Sequence, residues 1–207
     1  ELPIYQNVSS ANMNSFIKAG KLDVNAEEQK AIELCQKIQL KAKDISAPPS
    51  SLSGGNQQKV VFAKLLNCDL KVLILDEPTK GIDVGAKYSI YEIMNELTAN
   101  GYAIIMVSSE MPEVLGMADR IVVMRSGRVV GQFDTQGTTQ EMILEASLKH
   151  ESDRRKDNAG KRINNHFQNY RKQKFWSAPW LSCIINHSSY RDTVYVFFEF
   201  HSQYAAE

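Results

Sequence analysis

The stretch Val72-Leu73-Ile74-Leu75-Asp76-Glu77-Pro78-Thr79 joins four consecutive apolar residues to two adjacent carboxylates. A short, continuous apolar run predicts a strand covered on both faces, as in a parallel sheet. Asp76 and Glu77 then fall at the carboxyl end of the strand, the edge at which open α/β sheets usually bind ligands. Pro78 ends the strand because it has no backbone donor. The stretch therefore predicts an α/β fold with a ligand site at one sheet edge.

The two carboxylates suit different steps of phosphate chemistry. Asp76 is a candidate ligand of Mg²⁺, and Glu77 is a candidate for orienting and polarising a water that attacks a terminal phosphate. An acidic pair after an apolar run also occurs at ordinary solvated strand ends. Taken alone, the pair leaves both interpretations open.

The elements around this stretch complete the predicted fold. Residues 103–107 and 121–124 are further apolar runs and predict two more buried strands. A helix between the first two strands is predicted by apolar residues at helical spacing and by a glycine at its C-cap: Ile90, Ile93, Met94, Leu97 and Gly101. This order of strand, helix and strand is typical of an α/β crossover.

Other helices and a hairpin are predicted from local signals. A helix from about Asn25 to Leu40 has Asn25 and Glu28 as a capping pair, and a last helix to about Lys149 has Thr138 and Glu141 at the same spacing. Gly127 is placed to turn the strand at 121–124 into a hairpin with residues 128–133. No internal repeat occurs.

A second candidate site lies upstream, at Ser53-Gly54-Gly55. Ser53 is a plausible N-cap of a helix to about Asn67. Two glycines there leave backbone N–H groups uncovered and let another surface approach closely. The helix dipole adds a partial positive charge at the same end. A γ-phosphate suits that environment, although an ordinary serine cap after a glycine turn has the same sequence.

Together these segments, with Ser108-Ser109-Glu110-Met111-Pro112-Glu113-Val114 and 119–124, resemble ABC transporter ATPases. The order is similar to the second nucleotide-binding domain of the tandem ATPase subunit of bacterial sugar importers of the ribose, xylose and galactose type. The resemblance covers about Leu2 to Lys149. It implies a partial ABC-type phosphate-loop NTPase domain, with a helical signature subdomain and half of a parallel-sheet core.

The resemblance also implies a role for each motif. Leu52–Lys59 corresponds to the ABC signature, Leu73–Glu77 to the Walker B strand and Gly81–Asp83 to the D-loop. In the family, the signature closes over ATP held by the opposing domain. The residues implied to face that nucleotide or align the two sites are Ser53, Gly54, Gly55, Gln57 and Asp83. For nucleotide on its own side, Asp76 is implied to hold Mg²⁺ and Glu77 to be catalytic.

Two departures from the family pattern bear on activity. Ser109 stands where most ABC ATPases have a histidine beside the γ-phosphate, although the second domain of the sugar ATPases also has serine there. No G-x-x-x-x-G-K-[ST] occurs in the sequence. We therefore expect an N-terminally truncated domain that is an ATPase by family but inactive alone. The alternative is a fragment that hydrolyses nothing and supplies only the signature face to a partner's ATP site.

Composition limits the partners. The formal net charge is zero, so no overall field attracts nucleic acid or an acidic membrane surface. The three cysteines form no C-x-x-C pair, so neither a zinc site nor a disulfide framework is indicated, and a reducing cytosol fits best. No nucleic-acid motif occurs, and no apolar run is long enough to span a bilayer. The resemblance implies a protein at the cytoplasmic face of the plasma membrane. Its implied partners are permease subunits, an opposing ATPase domain and, indirectly, a periplasmic sugar-binding protein.

The composition changes after His150. Residues 1–150 carry the family pattern, whereas residues 151–207 hold both tryptophans, a single leucine and no methionine. We expect this tail to be a linker or a non-family extension, such as an out-of-frame or read-through sequence. The competing interpretation is a small docking element, supported by a predicted strand between Thr193 and Phe200.

Overall fold

A computed structural model describes residues 1–68, 70–125 and 128–148, together with the backbone of residues 195–199. The chain forms two compact units that divide after Val107. Apart from 195–199, the tail predicted from residue 151 lies outside the described residues.

The first unit begins with a helical subdomain. Its elements are α1 (Ile4–Ser9), a 3-10 segment (Ser10–Phe16), β1 (Ile17–Lys18), β2 (Lys21–Leu22), α2 (Val24–Lys37), a 3-10 turn (Pro49–Ser51) and α3 (Gly54–Leu66). Helix α1 packs against both α2 and α3. Ile4 and Phe62 are completely buried there, so apolar burial holds the three helices together.

The α/β crossover follows in the same unit. Strand β3 (Val72–Asp76), helix α4 (Val84–Ala99) and strand β4 (Ala103–Ser108) occur in that order. The two strands are parallel, in register from Val72 opposite Ala103 to Asp76 opposite Val107. Helix α4 buries its predicted apolar face. It ends in a Schellman motif at Gly101, where φ is 84° and the Tyr102 N–H donates to the Leu97 carbonyl at 3.1 Å.

The predicted burial of β3 on both faces is wrong. Strand β4 is buried along nearly its whole length, but β3 alternates, with Val72 37% and Ile74 40% exposed. Successive side chains of a strand point to opposite faces, and among the described residues nothing covers the second face of β3. A continuous apolar run in the sequence therefore does not show that a strand is covered on both faces.

The second unit contains two helices, a hairpin and most of a further short strand. Its elements are α5 (Met111–Met117), β5 (Arg120–Arg125), β6 (Arg128–Asp134), α6 (Gln140–Leu148) and β7 (Tyr195–Glu199). Strands β5 and β6 pair antiparallel, which confirms the predicted hairpin, although Gly127 itself lies outside the described residues. The register shifts by a bulge between Val123 and Met124. Strand β7 falls within the segment predicted between Thr193 and Phe200.

Two predicted helix caps are wrong by a few residues. Helix α2 is capped by Asp23, whose Oδ1 accepts the Ala26 N–H at 3.0 Å, and not by the pair Asn25 and Glu28. At α6 the Thr139 hydroxyl, not that of Thr138, accepts the Met142 N–H at 3.4 Å. Capping residues are frequent on either side of both helix starts, so spacing alone did not select the right one.

The Asp23 cap predicts an acid-dependent contribution to stability. Lys18 Nζ lies 2.8 Å from Asp23 Oδ2, and this bond, followed by the Ala26 N–H, lowers the pKa of Asp23. A lowered pKa means that the stabilisation is present above the unfolded-state value and is lost as pH falls through the folded-state value. We expect Asp23→Asn to lower the melting temperature at pH 7. The difference from wild type should close as the pH falls below about 4, and a difference that persists at lower pH would contradict this assignment.

No helix of the described residues is long and apolar enough to cross a membrane.

Candidate functional site

The start of helix α3 has no side-chain cap. Ser53 occupies the N-cap position, but its side chain makes no capping hydrogen bond. Instead, the Ser53 hydroxyl accepts a hydrogen bond from Asn56 Nδ2 at 3.0 Å. Ser53 and Gly54 are exposed. The helix dipole and uncapped N–H groups at this end favour an anion.

The two glycines of the motif have different surroundings. Gly55 is buried, and a Cβ built on it would lie 2.4 Å from the Ala86 Cβ of helix α4. A Cβ on the exposed Gly54 would lie 3.4 Å from Ile82 Cγ2, an ordinary contact. The expectation that both glycines make room for another surface therefore needs correction, because Gly55 makes room for the chain's own helix. Only Gly54 lies open.

Asp83 and Gln57 already have local structural roles. Asp83 is exposed and caps helix α4, with its Oδ1 accepting the Ala86 N–H at 2.9 Å. Gln57 Nε2 donates to the Leu52 carbonyl at 2.9 Å, which closes the turn before α3. The contact between α3 and α4 brings the Ser53 turn and the residues after Asp83 together within the first unit. The predicted signature and D-loop thus form one cluster.

The loop before α3 is tied to the same helix by two side chains. Asn56 Oδ1 accepts the Lys41 N–H at 3.1 Å, and Lys59 Nζ donates to the Gln39 carbonyl at 3.2 Å. Burial lowers the pKa of Lys59, the nearby Lys41 lowers it further, and Glu92 opposes the shift. Two residues of the signature therefore hold the preceding loop in place.

Asp76 and Glu77 lie where the sequence predicted, at the carboxyl end of β3. Asp76 is exposed and Glu77 is half-buried. Glu77 has a positive φ of 47°, a left-handed conformation that is unfavourable for a residue with a Cβ. Its N–H donates to the Val107 carbonyl at 2.8 Å, and its carbonyl accepts the Lys80 N–H at 3.1 Å. These two bonds hold the turn in this conformation.

Replacing Glu77 by glycine should stabilise the chain. A left-handed backbone at a non-glycine residue costs about 1 to 3 kcal/mol, which glycine would relieve. Glycine also loses more conformational entropy on folding, which offsets about 0.5 to 1 kcal/mol of that gain. We expect Glu77→Gly to raise the free energy of unfolding by about 1 kcal/mol in urea denaturation. Glu77→Ala, which keeps the strained backbone, is the control and should give no gain. Equal stability of the two variants would contradict the strain at this position.

The carboxylates at the end of β3 fit a magnesium site in which substrate phosphates supply some of the ligands. The described residues contain no group of three or more His, Cys, Asp or Glu side chains able to hold a metal. Mg²⁺ needs no such cage where one or two carboxylates act together with substrate phosphates and water. The exposed Asp76 carboxylate fits that arrangement, in which the metal supplies charge neutralisation at the phosphates.

Ser109 belongs to the second unit and is exposed immediately after β4. The preceding residue, Ser108, is 1% exposed; its hydroxyl accepts the Glu110 N–H at 3.0 Å and donates to Glu113 Oε2 at 2.5 Å. Glu113 is itself buried. The turn that carries Ser109 is thus fixed by two buried polar groups that the sequence did not single out. Their only signal in the sequence is a hydroxyl followed five residues later by a carboxylate, Glu113, in the first turn of α5.

The ABC transporter family matches residues 3–80. The chain is 43% identical over 162 residues to the ribose import ATP-binding protein of Corynebacterium glutamicum, covering 78% of this chain and 31% of that protein. It is 49% identical over 144 residues to the xylose import ATP-binding protein of Geobacillus kaustophilus, covering 70% of this chain and 29% of that protein. Residues 3–80 belong to the ABC transporter family.

Solved structures support the same fold for this chain. An ATP-binding cassette of an ABC transporter superimposes with a TM-score of 0.58 at 19% identity, covering 72% of this chain and 64% of that one. A dimeric ATP-binding cassette bound to ADP and phosphate superimposes with a TM-score of 0.55 at 22% identity, covering 66% and 58%. The predicted ABC-type α/β fold is confirmed. The chain spans about a third of the length of the curated relatives it matches.

Proposed function

We propose that this chain is part of the ATP-hydrolysing subunit of a bacterial sugar importer. In this proposal, the start of helix α3 closes over ATP held by another domain. The observation that carries it is the exposed, uncapped first turn at Ser53 and Gly54. Preorganised N–H groups stabilise charge that develops on a phosphate, and they require no rearrangement during the reaction.

The carboxyl edge of the sheet serves the nucleotide on the chain's own side in this proposal. Glu77 orients and polarises the attacking water, and Asp76 would hold Mg²⁺ together with the nucleotide phosphates. For Ser109, the family resemblance supports a contact with a γ-phosphate. Asp83 aligns the two nucleotide sites. The strained backbone of Glu77 supports a functional role, because such strain concentrates at active sites.

The relatives' names support sugar as the cargo, since they are import ATP-binding proteins for ribose and xylose. We infer a location at the cytoplasmic face of the plasma membrane, peripheral to permease subunits that carry the sugar. A periplasmic sugar-binding protein acts only through those permeases. The partner that the α3 start requires directly is an opposing ATPase domain.

Because the sequence shows no phosphate-loop motif, the chain by itself serves as a signature face in trans. The test measures ATP turnover by this chain, by a partner ATPase domain with an intact phosphate loop and a disabled signature, and by the two mixed. We expect no turnover by the chain alone and at least about a tenfold rise in the mixture over the partner alone. Turnover by the chain alone would contradict the trans role, and no rise in the mixture would contradict the signature assignment.

A further inference from the structure

One alanine connects the two predicted nucleotide-facing segments. The Ala86 N–H donates to Asp83 Oδ1 at 2.9 Å, which caps helix α4. The Ala86 methyl also lies close to Gly55, because a Cβ built on Gly55 would be only 2.4 Å from the Ala86 Cβ. A single residue therefore contacts both the Asp83 turn and the start of α3.

We propose that Ala86 is a positioning residue that sets how far the α3 start lies from Asp83, an inference that rests on the proposed signature role. The interhelical distance at a close crossing depends on the side chains at the contact. A Cβ built on Gly55 would already lie 2.4 Å from the Ala86 Cβ, so we expect a larger side chain at residue 86 to displace α3. Ile82 lies on the same side, since a Cβ on Gly54 would be 3.4 Å from Ile82 Cγ2.

A pair of variants separates positioning from general stability. Ala86→Val and Ala86→Gly both retain the backbone N–H that caps Asp83. Both also lower the helix preference of α4, so both should lower the melting temperature. Only Ala86→Val enlarges the contact with Gly55 and moves the α3 start. Val84→Ala is the matched control, because Val84 lies on the same helix and is 71% exposed.

The activity test uses the chain mixed with the partner ATPase domain. We expect Ala86→Val to lower the partner-dependent kcat about tenfold with little change in KM for ATP, because the partner holds the nucleotide. Ala86→Gly and Val84→Ala should keep kcat within about twofold of wild type. A kcat that follows the melting temperature, with Ala86→Gly as impaired as Ala86→Val, would overturn the inference.

Hydrogen exchange gives a readout that does not depend on catalysis. The Gln57 N–H donates to the Ser53 carbonyl at 2.9 Å in the first turn of α3. We expect Ala86→Val to raise exchange at Gln57 at least about tenfold and Ala86→Gly to leave it near wild type. Unchanged exchange in Ala86→Val would overturn the inference. If the wild-type mixture shows no stimulated turnover, the proposed function fails, while exchange still decides whether Ala86 positions α3.

Discussion

Gly55→Ala should destabilise the chain strongly, whereas Gly54→Ala should not. The new Cβ at Gly55 would lie 2.4 Å from the Ala86 Cβ, a distance that real Cβ atoms do not adopt. Helices α3 and α4 must separate to relieve it, and overpacking of this kind costs about 1 to 3 kcal/mol. We expect a loss near the upper end, about 2 to 3 kcal/mol after the better helix propensity of alanine is included. Urea denaturation at neutral pH measures it.

The neighbouring glycine is the matched control for this prediction. A Cβ on Gly54 would lie 3.4 Å from Ile82 Cγ2, an ordinary van der Waals contact, so Gly54→Ala should stay within about 0.5 kcal/mol of wild type. Both variants change glycine to alanine in the first turn of one helix, which cancels most effects on the unfolded chain. Equal losses in the two variants would show that the α3 and α4 contact is not the cause.

The crossover was predictable from the sequence because its signals are local. Ile90, Ile93, Met94 and Leu97 repeat at the helical period and are buried, and Gly101 adopts the left-handed conformation expected of a C-cap glycine. A period of apolar residues reports the face that a helix buries wherever that helix lies in the fold. The bounds of α3 and β5 were likewise close to those predicted.

The missed features depend on what another part of the chain does. The sequence shows that residue 55 is glycine, but only packing reveals that Ala86 is the surface that approaches it. The exposed face of β3 was missed for the same reason, since coverage belongs to the neighbouring elements. The conformation of Glu77 follows from bonds to Val107 and Lys80, and neither bond has a sequence pattern.

A pair of variants at the two candidate sites decides whether this chain acts only in trans. Ser53→Leu places a bulky apolar side chain over the exposed first turn of α3 without removing a cap, because the Ser53 hydroxyl makes none. In the mixture with the partner domain, we expect Ser53→Leu to reduce stimulated turnover about a hundredfold, the loss typical of removing oxyanion-type donors. The measurement is steady-state phosphate release at saturating ATP.

Glu77→Gln is the counterpart, and the trans role predicts that it leaves stimulated turnover unchanged. Glu77 stands at the sheet edge that serves nucleotide on the chain's own side, so its carboxylate does not act on ATP held by the partner. The substitution keeps the size and the backbone of a half-buried residue, so folding should not obscure the result. A large loss in Glu77→Gln would instead place hydrolysis at the chain's own edge and contradict a purely trans role. If only Ser53→Leu loses stimulated turnover, the chain acts as a signature face and not as a complete ATPase site.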